Sequence, residues 1–144
     1  MLSDKETEAT HRGNDRPTIS LLVPFYNEER LIVNTIETLL PIMDSLNVLY
    51  EIVCVDDGSR DGTWKLLSGF AEAYPQIYAL RLSRNFGKEA ALSAGLAEVR
   101  GDAVITMDGD LQHDPKHISQ MVDLWREGYD VVEGIKTSRN DSAF

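Results

Sequence analysis

The sequence predicts an α/β fold built on a mostly parallel sheet flanked by helices. Two observations carry that prediction. From Pro17 onward, short apolar runs of strand character alternate with longer stretches of helical period. Polar clusters also recur just after the apolar runs, at the strand ends where open parallel sheets bind their ligands.

The elements follow in order. Thr18 to Pro24 reads as a buried strand, ended by a proline that cannot donate to a ladder. Glu28 to about Leu46 is helical, with Leu31, Ile32, Thr35, Ile36, Leu39 and Leu40 on one face. Tyr50 to Val55 is a second strand, running into the turn-rich Asp56-Asp57-Gly58-Ser59. A helix then starts at Asp61-Gly62-Thr63 and runs to about Tyr74, with Trp64, Leu67, Phe70 and Ala71 inward. Ile77 to Leu82 is a third strand, and Gly87 to Val99 an Ala- and Leu-rich helix. Asp102 to Met107 is a fourth strand, with Asp108-Gly109-Asp110 at its carboxyl end. Pro115 to Glu127 is a fourth helix, with Asp114 as its N-cap and Pro115 at the first helical position. Asp130 to Glu133 reads as a fifth strand. Residues 1–16 are polar and charged and are expected to form a disordered tail ahead of one domain over residues 17–144.

Composition narrows the function. The chain has 144 residues, enough for one domain with a real core. Acidic residues outnumber basic ones 24 to 14 and the formal charge is -10, which disfavours non-specific nucleic-acid binding. No apolar run approaches the length needed to cross a bilayer. The single cysteine, Cys54, sits in the apolar run Ile52 to Val55 and reads as a buried strand residue, so a reducing, cytoplasmic setting is expected.

Asp108-Gly109-Asp110 is the sharpest local signal. Two carboxylates across a glycine can both reach a hard cation while the backbone comes close. Mg²⁺ is held by one or two carboxylates, waters and substrate phosphates; Mn²⁺ accepts the same oxygen donors. The alternative is an Asx-type turn capping a loop. Asp56 and Asp57 could satisfy turn amides near Gly58, or accept from a base N–H or a ribose hydroxyl. Tyr26 could stack on a base beside Glu28, although Glu28 and Glu29 also suit a first helical turn. Arg84-Asn85-Phe86-Gly87-Lys88 is a basic loop entering a helix, either a phosphate clamp or a solvated turn. His113 and His117 lie four apart, but no third zinc ligand is indicated, and His117 is read as a helix-start residue. Lys136 and Arg139 could receive an anionic acceptor or the donor diphosphate, or simply form a basic patch on a disordered end.

Taken together, Val23-Pro24-Phe25-Tyr26-Asn27-Glu28-Glu29, Val55-Asp56-Asp57-Gly58-Ser59-Arg60-Asp61-Gly62-Thr63, Arg84 to Lys88, and Asp108-Gly109-Asp110-Leu111-Gln112-His113-Asp114-Pro115 resemble the family 2 glycosyltransferases with a GT-A fold. The resemblance covers about Thr18 to Phe144. It is strongest to the polyprenyl-phosphate branch, the bactoprenol glucosyltransferases and dolichol-phosphate mannosyltransferases, and Asn85 to Leu92 and the Asp-Leu-Gln-His run look most like the former. It implies a Rossmann-like GT-A sheet. It implies that Pro24, Tyr26, Glu28, Asp56 and Asp57 line a nucleoside pocket, with Lys88 near the base or diphosphate. Asp108 and Asp110 would hold the nucleotide and a divalent metal, Mg²⁺ or Mn²⁺, with Gln112 supporting the same catalytic site. Lys136 and Arg139 would meet phosphate groups of donor or acceptor. Members of this branch are longer and continue into amphipathic and membrane-spanning segments at the cytoplasmic face, so the chain reads as a C-terminally truncated catalytic domain or a short homologue.

The implied reaction is inverting transfer of a hexose, glucose favoured, from a nucleotide sugar to a polyprenyl phosphate. UDP-glucose is the favoured donor and GDP-mannose the next. The alternatives are a soluble family 2 enzyme acting on a saccharide hydroxyl, or a nucleotide-sugar-binding fragment without turnover. A dinucleotide oxidoreductase is disfavoured because no Gly-x-Gly-x-x-Gly follows the first expected strand.

Overall fold

The computed structural model describes residues 7–110 and 114–128. Its elements in chain order are β1 (Thr7–Ala9), β2 (Ile19–Phe25), α1 (Ile32–Asp44), β3 (Tyr50–Asp56), α2 (Thr63–Ala73), β4 (Ile77–Leu82), α3 (Lys88–Leu96), β5 (Ala103–Thr106) and α4 (His117–Arg126). The strands form one sheet in the order β1-β4-β3-β2-β5. β2, β3, β4 and β5 pair in parallel, and β1 joins β4 antiparallel. The mostly parallel sheet flanked by helices is therefore as expected.

The strand sequences are apolar on both faces because both faces are covered. Ile19, Leu21, Val23 and Phe25 of β2 pack with Ile52 and Cys54 of β3 and Ile77 and Ala79 of β4 on one side. There they meet Ile32, Ile36, Leu39 and Met43 of α1, Leu67 and Ala71 of α2, and Ile118 and Val122 of α4. The alternate residues Leu22, Val53, Val55, Tyr78, Leu80 and Leu82 face the other side, toward Ala91 of α3. Gly95 lets α3 settle closely there, since a Cβ at this position would run into Leu22 and come within 3.0 Å of Val55. Burying one such Leu or Ile contributes on the order of 2 kcal/mol, so the two-sided sheet is a rigid base for the loops at its edge.

Three expectations are corrected. Residues 7–16 are folded rather than a disordered tail. Thr7, Glu8 and Ala9 pair with Leu82, Arg81 and Leu80, because an edge strand offers unpaired backbone groups that a polar segment can satisfy as well as an apolar one. The segment is fastened further by Arg12, which donates to the buried Glu51 at 2.6 Å and lies 4.1 Å from the centre of the Tyr78 ring. Glu51 also accepts from the Ser20 hydroxyl and the Arg100 amide. Helix α1 begins at Ile32 instead of Glu28; residues 27–31 form a turn, entered at Asn27 with φ +51 and tied to the loop after β3 by the Glu28 and Glu29 amides, which donate to Thr63 Oγ1 and Asp61 Oδ2. Helix α4 begins at His117 with Lys116 at its N-cap, not at Pro115, and Asp114 accepts from the Lys116 amide at 2.9 Å in the preceding turn without capping the helix. The strand expected at Asp130 to Glu133 lies outside the described residues.

Candidate active site

The carboxyl ends of β2, β3, β4 and β5 surround a cleft of about 420 Å³ lined by Pro24, Phe25, Tyr26, Glu28, Asp57, Asn85, Gly87, Lys88, Asp108, Gly109 and Asp110. Four segments far apart in sequence thus meet at one sheet edge, where a ligand site is expected in an open parallel sheet.

The first wall comes from the loop after β2. Asn27 adopts φ +51, a left-handed turn that Asn tolerates. This loop is fastened to the loop after β3 by reciprocal hydrogen bonds. The Asn27 amide donates to Ser59 Oγ at 2.8 Å, and the Arg60 amide donates to Asn27 Oδ1 at 2.9 Å. The Glu28 amide donates to Thr63 Oγ1 at 2.9 Å, and the Gly62 amide to Glu29 Oε2 at 3.0 Å. Tyr26 is left 42% exposed at the cleft mouth, with its ring available for stacking. The Glu28 carboxyl titrates above the ordinary carboxylate value, through partial burial first and then the negative charges of Asp110 and Asp61.

The paired aspartates after β3 divide their work. Asp57 is buried, and its carboxylate accepts from the Phe86 amide at 2.9 Å, the Gly87 amide at 3.0 Å and the Asn85 side chain at 3.2 Å. It lines the cleft and at the same time fixes the loop that leads into α3. Asp56 does not reach the cleft. It is 0% exposed, accepts from the Ser59 amide at 2.9 Å and lies 3.7 Å from Arg81 Nε. Burial pushes its carboxyl up, against the lowering pull of Ser59 and Arg81. Asp56 is not among the residues that line the cleft, where the resemblance places it beside a nucleoside. Gly58, at φ +68, closes this turn against the backbone of Arg84 and Asn85, where a Cβ would collide.

The loop after β5 carries Asp108, Gly109 and Asp110. Thr35 of α1, buried in an otherwise apolar helix face, donates to the Gly109 carbonyl at 2.8 Å. A Cβ on Gly109 would come within 2.5 Å of the Phe25 ring, so glycine lets this loop lie flat on β2. Across the cleft, Lys88 Nζ stands 2.5 Å from Asp108 Oδ1. The residues fit a hard cation in two respects. Asp108 already presents an oxygen to the Lys88 ammonium, and Asp110 lines the same cleft. Among the described residues no group of three or more His, Cys, Asp or Glu side chains is placed to hold a metal alone. Oxygens from substrate phosphate and water would complete the shell.

Of the sequence-derived site residues, the cleft brings together Pro24, Tyr26, Glu28, Asp57, Lys88, Asp108 and Asp110. Gln112, His113, Lys136 and Arg139 lie outside the described residues. Arg84 stays away from the cleft and stacks over Phe86, 4.7 Å from its ring centre. His117, taken as a helix-start residue, is buried at the start of α4. Ser59, Asp61, Thr63 and Thr35 escaped the sequence reading as supports of the site. Thr35 left the one usable signal, a hydroxyl on the core face of an apolar helix.

This fold and the sequence that builds it are those of a GT-A glycosyltransferase domain. The mannosyltransferase of Pyrobaculum calidifontis, solved in complex with GDP-Man and Mn²⁺, superposes with a TM-score of 0.59 at 28% identity, over 75% of this chain and 32% of that one. The Glycosyl transferase family 2 model matches residues 20–144, and the chain belongs to that family. An uncharacterized glycosyltransferase of Synechocystis sp. is 47% identical over 84% of this chain. The undecaprenyl-phosphate 4-deoxy-4-formamido-L-arabinose transferase of Pseudomonas fluorescens is 41% identical over 88% of it. The chain spans only 38% and 37% of the length of these two relatives.

Proposed function

We propose that the chain forms the donor-binding part of an inverting glycosyltransferase that moves a hexose from a nucleotide diphosphate sugar to a polyprenyl phosphate. The observation that carries this reading is the cleft itself, where Tyr26, Asp57, Lys88, Asp108 and Asp110 converge at the carboxyl edge of the sheet. Tyr26 would stack on the base, and Asp57 would set the loop that delivers Lys88. Asp108 and Asp110 would hold Mg²⁺ or Mn²⁺, which when bound supplies positive charge to the departing diphosphate.

The chemistry asks little of a base. An oxygen of the acceptor phosphate attacks the anomeric carbon, the bond from that carbon to the diphosphate oxygen breaks, and the configuration inverts. A phosphate monoester is already largely anionic near neutral pH, with a second pKa of about 6, so no residue must first remove a proton. Lys88 would offset charge on the diphosphate. Gln112, Lys136 and Arg139 are assigned to the metal site and to phosphate by family resemblance. The name of the Pseudomonas fluorescens relative joins a sugar to undecaprenyl phosphate, which supports this acceptor class. Its sugar is an arabinose derivative, so glucose and UDP rest on the motif resemblance. No helix of the described residues is long and apolar enough to cross a membrane; a place at the cytoplasmic membrane face is part of the proposal.

Calorimetric titration with UDP-glucose and GDP-mannose, with and without Mg²⁺ or Mn²⁺, tests the donor half. Metal-dependent binding of one donor is expected. The transfer half is tested by Asp110→Asn in a version extended to the length of the relatives, assayed with lipid phosphate and with free saccharide. Unchanged metal-dependent transfer would remove Asp110 from the metal site, and preference for the saccharide would replace the acceptor class.

A further inference from the structure

Lys88 is the first residue of α3, immediately after the Gly87 amide that Asp57 holds. Its ammonium reaches Asp108 at 2.5 Å and so bridges α3 and the loop after β5. The other charged side chains among the described residues lining the cleft are Glu28, Asp57, Asp108 and Asp110, all acidic. The cleft therefore holds one internal cation against four acids. That cation is seated on one of the two carboxylates expected to bind a divalent ion. Lys88 is 59% exposed on its side chain and Asp108 27%, so the pair is solvated and can exchange partners.

We propose that Lys88 is an exchange cation. Without donor it neutralises Asp108, and on donor binding it moves to the diphosphate as the divalent ion takes its place on Asp108. The inference rests on the reading of Asp108 and Asp110 as the metal pair. Two positive charges on one carboxylate repel one another, so Lys88 weakens binding of the ion by itself. A diphosphate gives the ammonium a better partner and relieves that repulsion. Ion and diphosphate thus become coupled ligands, each strengthening the other, and the coupling is reciprocal by linkage. The cleft would admit the ion mainly together with its anionic substrate.

The test measures free Mn²⁺ by electron paramagnetic resonance in titrations of the full chain, alone and with saturating UDP or, in parallel, GDP. Wild type is compared with Lys88→Gln, with Lys88→Met as a second neutral variant and Lys88→Arg as the charge-retaining one. Mn²⁺ alone is expected to bind the neutral variants roughly fivefold more tightly than wild type, while the gain from adding diphosphate shrinks by a similar factor. Lys88→Arg should behave as wild type. Mn²⁺ bound by wild type, but no more tightly by either neutral variant, would overturn the exchange role and leave the metal pair intact. No Mn²⁺ bound by any of the proteins, with or without diphosphate and with wild-type circular dichroism, would overturn the metal pair and the exchange role together.

Discussion

The carboxylate of Asp57 closes on the backbone of Gly87, 3.0 Å from its amide, and takes the Phe86 amide on its other oxygen. An aspartate at the end of one strand thereby fixes the start of a helix that follows another. Asp57→Asn would turn an amide NH₂ toward one of these N–H groups and leave a buried donor unpaired. We expect a loss of about 2 kcal/mol in urea unfolding. Donor affinity should fall about tenfold by calorimetry, the factor that corresponds to about 1.4 kcal/mol of binding free energy lost when the loop is displaced.

Thr35→Val keeps the shape of the side chain and deletes its hydrogen bond to the Gly109 carbonyl. Stability should fall by about 1 kcal/mol. The greater effect is expected in Mn²⁺ affinity, because the loop carrying both Asp108 and Asp110 loses its anchor. Thr35→Ser, which retains the hydroxyl, should recover most of the affinity.

Gly58→Ala is expected to be among the most damaging single methyl additions. The residue sits at φ +68, and its Cβ would meet the backbone of Arg84 and Asn85, which cannot swing aside like a side-chain tip. Strain and overpacking together should cost about 3 kcal/mol in thermal or urea unfolding.

Glu51 predicts an acid limb of stability. Burial alone would raise its carboxyl, but hydrogen bonds from Ser20 and the Arg100 amide, together with Arg12, hold it below its ordinary value of 4.5. The folded protein therefore binds this proton less readily than the unfolded chain. The stabilisation is complete above the unfolded value and is lost as pH falls toward the lower, folded one. Urea midpoints of wild type should drop between pH 5 and the acid range more steeply than those of Glu51→Gln. Equal slopes would remove Glu51 as the source.

Much of this fold was legible because two-sided burial writes itself as unbroken apolar runs. Ile77 to Leu82 and Tyr50 onward matched their strands closely, each followed at once by a polar residue, Ser83 or Asp57. β1 was not legible, since its three polar or small residues contribute backbone pairing and almost no apolar burial. At the site, motif order revealed which loops converge but not the division between Asp56 and Asp57. Neighbouring residues at a strand end point to opposite faces, so one turned down to Ser59 and Arg81 and the other up to the cleft. The supports Ser59, Asp61 and Thr63 were hidden because their partners are backbone amides of residues more than thirty positions away.

Those same contacts bear on how the domain can be re-engineered. Residues 27–29 and 59–63 give and accept hydrogen bonds in both directions. A loop transplanted singly from a relative would bring donors without their acceptors. Residues 26–31 and 58–63 therefore form one transferable cassette. Chimeras that exchange both segments together should fold, and those that exchange either alone should express poorly even where each loop is individually compatible with the sheet beneath it.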